Sequence, residues 1–135
     1  MKFRNVKSLL SQVLEIADFT DNTNTTGYID FDAPLPVGAI PLGWKATVSE
    51  GFAGDTTAVM QVGISGDLDK YSANTAQSVL AAGVVGSLAL AADAVTGFSA
   101  AKTPRVTVTG GADFTSIVTA GGGSMVVELF YIDTK

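Results

Sequence analysis

Carboxylates are the residues in this chain whose type and spacing come closest to chemistry. Asp30 and Asp32 stand two apart in Tyr28 to Asp32, a run that alternates polar and apolar residues. Alternation of that kind puts both carboxylates on one face of a strand, opposite Ile29 and Phe31. Asp67 and Asp69 flank a turn in Gly66-Asp-Leu-Asp-Lys-Tyr71. Paired carboxylates can serve as acid and base in sugar hydrolysis, or bind calcium through hard oxygen ligands. The flanking residues do not assemble a sugar subsite, and the spacing lacks the twelve-residue calcium-loop pattern. Solvated charges at a turn and a strand edge are the reading these pairs support.

Other chemistries need residues that the chain lacks. It contains no histidine and no cysteine. That removes the commonest general base, the commonest transition-metal ligand and every thiolate. No serine sits in a GxSxG elbow, so the familiar nucleophile–base arrangements cannot be built. The glycines form neither GxGxxG nor GxxxxGK[ST], and Ala120-Gly-Gly-Gly-Ser124 reads as a hairpin loop joining two strands. Asn24-Thr-Thr26 fits the N-glycosylation acceptor pattern, which matters only in a secretory pathway. Trp44, Phe52 and Tyr71 could stack on a ligand, but Trp44 shares a strand face with Ala46 and Val48, which points to core packing. No catalytic residue, metal site or cofactor is expected, and the chain is not expected to be an enzyme.

The elements that would position these residues are mostly strands. Gly43 to Tyr71 is the organising stretch, read as a hairpin: Trp44, Ala46 and Val48 share one face, and Ala58, Met60, Val62 and Ile64 share another. Val13 to Ala17 is a candidate first strand. Asp18 to Gly27 reads as loop, because Asn, Asp and Thr bond their own backbone. Prolines at 34, 36 and 41 keep the next stretch extended and favour an edge or a crossing between sheets. Asn74-Thr-Ala-Gln77 resembles a helix start, Val84 to Ala92 favours a strand, and Pro104 to Thr109 is a strand with Val106 and Val108 inward. Phe114 to Thr119 is expected to return as a strand. Ser124 to Asp133, apolar on both faces except at Glu128, is expected to lie centrally in a sheet. Short strands separated by Gly, Pro and Asn signals predict an all-β fold, an antiparallel β-sandwich of jelly-roll-like form.

Met1 to Leu10 stands apart. Phe3, Val6, Leu9 and Leu10 have helix-like spacing with Lys2, Arg4 and Lys7 between them. Such a short helix is marginal alone. It either packs on its own domain or is an arm that orders on a partner. The expected organisation is a short N-terminal arm, 1–10, and a single sandwich domain, 11–135.

Bulk properties fit a subunit that works through its surface. Charged residues make up 16% of the 135-residue chain, against about 25% in ordinary domains, and charge is depleted at interface cores. The net charge is −5, although three of the eight basic residues lie in the first seven positions with no acid among them. An acidic body argues against nucleic-acid binding, which needs a basic face to displace counterions. Val79 to Ala92 is the most apolar run and falls short of the roughly 20 residues needed to cross a membrane. Gln12 and Glu15 interrupt any signal-peptide apolar region. Neither nucleic acid nor membrane is an expected partner.

The series PLPVGAIPLGWKATV, GFAGDTTAVMQVGISGDLDKYSA, AAGVVGS and MVVELFYID resembles small virion structural proteins of tailed bacteriophages and prophages, of the head decoration (cement) type. The resemblance runs from about Gly27 to the C-terminus, and its sharpest element is VGISGDLDKYSA at 62–73. It implies a sandwich on the outside of an icosahedral head, made in the bacterial host cytoplasm and carried on the capsid surface of the virion. The implied partners are the major capsid protein and the chain itself, as a homodimer or homotrimer. On this reading Met1, Lys2, Phe3, Arg4, Lys7, Leu9 and Leu10 dock on the shell. The alternatives are a glycan- or receptor-binding module of a head fibre or tail tip, using an exposed patch near Tyr28, Asp30 and Asp67, and a tail-tube or connector subunit. A hydrolase acting through the Asp pairs comes last.

Overall fold

The computed structural model describes residues 6–22, 24–72, 77–88 and 100–133, and among these it has ten strands, one α-helix and one 3-10 turn. Met1, Lys2, Phe3 and Arg4, four of the seven expected docking residues, lie outside the described residues. In chain order the strands are β1 (Val6–Leu10), β2 (Leu14–Glu15), β3 (Thr20–Asp21), β4 (Thr26–Asp30), β5 (Ala39–Glu50), β6 (Ala58–Gly63), β7 (Gln77–Ser78), β8 (Gly83–Leu88), β9 (Arg105–Gly110) and β10 (Ser124–Asp133). They form two antiparallel sheets. The first has the order β1-β10-β5-β8, with β2 also paired to β10; the second has the order β3-β4-β9-β6-β7.

Side-chain alternation decides what each sheet buries. Trp44, Ala46 and Val48 of β5 join Val127 and Leu129 of β10 on one wall of the core. Met60 and Val62 of β6 and Val106 and Val108 of β9 form the facing wall. This is the all-β sandwich expected from the pattern. Pro41 is tolerated inside β5 because the pairing with β8 starts at Gly43, and the register with β10 is irregular between Phe130 and Tyr131.

The expected hairpin from Gly43 to Ile64 does not form. Its two strands lie in different sheets: β5 pairs with β10 and β8, and β6 pairs with β9 and β7. Alternation fixes which face a strand buries, and says nothing about which strand it pairs with. The link 51–57 carries the cause. Phe52 is fully buried, with its amide bonded to the Val79 carbonyl, so the chain dives through the end of the sandwich rather than turning back.

Phe114 to Thr119, expected as a strand, is the helix α1 (Phe114–Ala120). The Asp113 carboxylate accepts from the Thr115 amide as an N-cap, and Gly121 ends the helix at φ 75°, a conformation that costs a residue without Cβ nothing. Ala120 to Ser124 therefore joins a helix to a strand. Phe114 and Ile117 face inward, and Phe114 lies over β4 so closely that a Cβ at Gly27 would fall 2.2 Å from its ring atoms. Phe19 continues the aromatic cluster, with ring centroids 6.1 Å from Phe114 and 5.7 Å from Phe52.

The remaining differences are local. Val6–Leu10, where helix-like spacing was read, is an edge strand paired along its length with β10. Leu9 packs toward the core, because a period of two fits these residues as well as the helical one. Val13 to Ala17 is strand only at Leu14–Glu15, followed by a 3-10 turn at Ile16–Asp18. The loop read over Asp18 to Gly27 contains β3 and the start of β4. The helix start at Asn74 falls on 73–76, outside the described residues, and Gln77 is in β7.

Candidate functional site

Of the carboxylates singled out as possible chemistry, Asp30 closes on a side-chain partner within the chain. Asp30 and Arg105 are directly opposed on β4 and β9. Arg105 Nε donates to Asp30 Oδ1 at 2.7 Å and its terminal nitrogen to Oδ2 at 3.2 Å, the two-pronged geometry that suits a guanidinium. The same guanidinium lies 3.9 Å over the Tyr28 ring, and the hydrogen bonds it donates to Asp30 raise its already high pKa. Arg105 thus covers the aromatic face and engages the carboxylate that a glycan patch would use. Asp32 lies apart from this cluster; its amide donates to Gln12 Oε1, while Gln12 Nε2 donates to the Asp30 carbonyl.

Asp67 and Asp69 hold their turn through main-chain carbonyls. The Asp67 carbonyl accepts from the Ile64 and Lys70 amides, and the Asp69 carbonyl accepts from Ser72. Among the described residues, no three His, Cys, Asp or Glu side chains converge to hold a metal ion, and no helix is long and apolar enough to cross a membrane. Trp44, Phe52 and Tyr71 are all buried in the core, as the strand face of Trp44 implied for that residue. The sequence did not show where the indole N–H would go: it donates to the buried Ser72 hydroxyl at 3.1 Å, which also accepts from the Val62 amide at 2.9 Å. One hydroxyl so ties the first sheet to the second. Asp55 is another missed anchor. Its carboxyl accepts from the Asp113, Ala112 and Thr56 amides, which lower its pKa from 3.8 to about 2 and clasp the intersheet link to the turn before α1.

Among the described residues, the outer face of the first sheet is left open. Directly opposed residues of antiparallel strands project to the same side. One row across the sheet is Ser8, Phe130, Gly43 and Leu88; the next is Leu10, Glu128, Lys45 and Gly86. Val6 with Ile132 and Ile40, and Val126 with Thr47 and Val84, continue the face on either side. Leu88 is 76% exposed, Val84 64%, Val6 61% and Leu10 57%. An open groove of about 570 Å³ runs along one end, lined by Val6, Leu42, Trp44, Leu88 and Phe130. In mid-sheet, Lys45 Nζ stands 3.7 Å from Glu128 Oε1. Glu15 and Glu50 flank Ser124 at the far end.

The described docking candidates divide. Lys7 donates to Asp133 at 2.6 Å, which raises its pKa, and Leu9 turns inward. Leu10 alone of the three projects onto the outer face.

No protein-family model and no curated protein matches this chain. Among solved structures, a chain of the cyanophage Pam1 capsid asymmetric unit is similar at 22% identity, with a TM-score of 0.49; the match covers 96% of this chain and 86% of that one.

Proposed function

We propose that this chain is a bacteriophage capsid decoration (cement) protein, which binds the outer surface of the assembled head where capsomers meet and strengthens those contacts. The observation that carries the reading is the exposed apolar outer face of the first sheet, bordered by the edge strand β1. Large contiguous apolar exposure marks a binding surface. The sequence resemblance to decoration proteins supplies the shell as the partner. Asp30, one of the carboxylates an acid–base reading would use, is engaged by Arg105.

A protein that binds the assembled shell and not its free subunits stabilises the shell by mass action. Repetition over many equivalent sites turns modest contacts into firm retention. The N-terminal residues Met1, Lys2, Phe3 and Arg4 lead into β1 and bring the basic charge, and Leu10 adds an exposed apolar contact at the other end of that strand. Lys7 and Leu9 serve the fold.

The test is co-sedimentation with heads of the phage that encodes the chain. The purified protein should pellet with assembled shells and remain in solution with unassembled capsid protein, and Lys2→Glu with Arg4→Glu should lower occupancy. Equal binding to unassembled subunits, or none to shells, would overturn the reading.

A further inference from the structure

We infer that the open edge of β8 is a strand-addition site, which takes an extended segment of the shell protein as a further strand of the first sheet. The identity of the donor rests on the decoration reading; the contact itself is a main-chain one, distinct from the side-chain face described above.

Among the described residues the two sheets have four edge strands, and three are blunted. β3 and β7, the edges of the second sheet, are two residues long. β1 carries Lys7 and follows Lys2 and Arg4, and basic charge on an edge discourages a further strand. β8, Gly83-Val-Val-Gly-Ser-Leu88, has six residues with neither charge nor proline. At about 3.4 Å per residue it offers about 20 Å of edge. Its strand partner among the described residues is β5 alone. A long edge without such protection is a template for another chain.

Register shows which main-chain groups that edge presents. The Ser11 amide donates to the Val127 carbonyl at 2.8 Å, and the Val127 amide donates to Ser11 Oγ at 2.9 Å. Val127 thus uses both groups on the β1 side. In antiparallel strands the bonding side alternates from residue to residue. Ala46, opposite Val127, therefore bonds toward β8, where it opposes Val85. By the same alternation Val85 and Ser87 bond β5, while Val84, Gly86 and Leu88 direct their N–H and C=O groups away from it. The Leu88 carbonyl also accepts from Ser87 Oγ at 3.1 Å, which leaves it a second lone pair.

The same rows set the chemistry of the donor. Added strands gain affinity from main-chain bonds and specificity from alternate side chains. On the outer face the new strand stands beside Leu88 and Val84, both well exposed, with Gly86 between them. Gly86 has no side chain, so a long residue placed next to it reaches across to Lys45, its opposite on β5. Lys45 is only loosely held, with Nζ 3.7 Å from Glu128 Oε1. The donor that fits is an extended run with an acidic residue opposite Gly86 and apolar residues two positions to either side.

Hydrogen exchange read by mass spectrometry at residue resolution is the experiment, on the full-length protein free and after pelleting with assembled heads. The amides of Val84, Gly86 and Leu88 should exchange quickly in the free protein and at least about tenfold more slowly on heads. Val84→Pro removes one outward N–H and leaves the ladder with β5 intact, so it should lower head occupancy at least about tenfold. Val84→Thr keeps that N–H and should stay within about threefold of wild type. Lys45→Glu should lower occupancy and Lys45→Arg should keep it. Amides already protected in the free protein would show the edge covered by its own chain and overturn the inference. Binding to heads without protection of these amides, or equal occupancy for Val84→Pro and Val84→Thr, would overturn it too, with the decoration reading left standing. A wild type that fails to pellet with heads would overturn the decoration reading and, with it, the shell as donor.

Discussion

Replacing Gly27 by alanine should destabilise the sandwich, although alanine suits a strand's backbone as well as glycine does. The added Cβ would stand 2.2 Å from two Phe114 ring atoms and 2.6 Å from a third. Ordinary carbon contacts need about 3.5 Å or more, so the ring must retreat by over an ångström. It has nowhere easy to go, since Phe114 is fully buried and packs against Phe19. Overpacking of this kind costs about 1–3 kcal/mol, and reduced unfolded-state entropy returns about 0.4–1 kcal/mol. The expected net loss is about 1–2 kcal/mol. Urea unfolding should show a lower midpoint at unchanged slope. Phe114→Ala alone should cost about 3–5 kcal/mol. In the double variant the methyl group occupies part of the vacated space, so the two losses should combine to less than their sum by at least about 1 kcal/mol, as contacting residues do. A Gly27→Ala protein within about 0.5 kcal/mol of wild type, the usual range for surface changes, would refute the placement of α1 over β4. So would strict additivity.

Other perturbations test separate features. Asp113→Ala removes the N-cap of α1 and should lower stability by about 0.5–2 kcal/mol in the same urea assay. Asp55 has a folded pKa of about 2, below its ordinary 3.8. Its contribution is therefore complete above the unfolded value and is lost as pH falls from about 4 toward 2. Asp55→Asn should lie below wild type at neutral pH, with the gap in urea midpoint closing across that window; a constant gap would contradict the clasp. Trp44→Phe leaves the Ser72 hydroxyl without its indole donor and should cost about 1 kcal/mol through the lost hydrogen bond, with further loss from smaller volume. Arg105→Ala should cost on the order of 1 kcal/mol or more, because its pair with Asp30 is two-pronged and its largely covered guanidinium also lies on Tyr28.

Much of the sandwich was readable from alternation. The inward faces of β5, β6 and β9 follow directly from the apolar positions of Trp44 to Val48, Ala58 to Val62, and Val106 to Val108. Pairing was not readable, since nothing local to Val48 or Ala58 says that Phe52 carries the chain between sheets. The helix α1 left signals that its β-branched content obscured. Phe114, Ile117 and Val118 have helical spacing between a capping Asp113 and a terminating Gly121. Arg105 finds Asp30 across 75 residues of chain, a contact no local pattern encodes. β10 shows a subtler limit. Apolar residues on both its faces suit its place between β1 and β5, yet among the described residues only one face packs on the core; Val126, Phe130 and Ile132 stay half-exposed on the outer side. Sequence reads hydrophobicity, and here that hydrophobicity serves a surface as well as a core.

The protein's place on the particle is the central question. Cryo-electron microscopy of the particle that carries it gives the direct answer. The sandwich should appear in repeated copies on the outside of the head, over junctions between capsomers. Density for it in the tail, in the connector or on the inner wall of the shell would contradict the account.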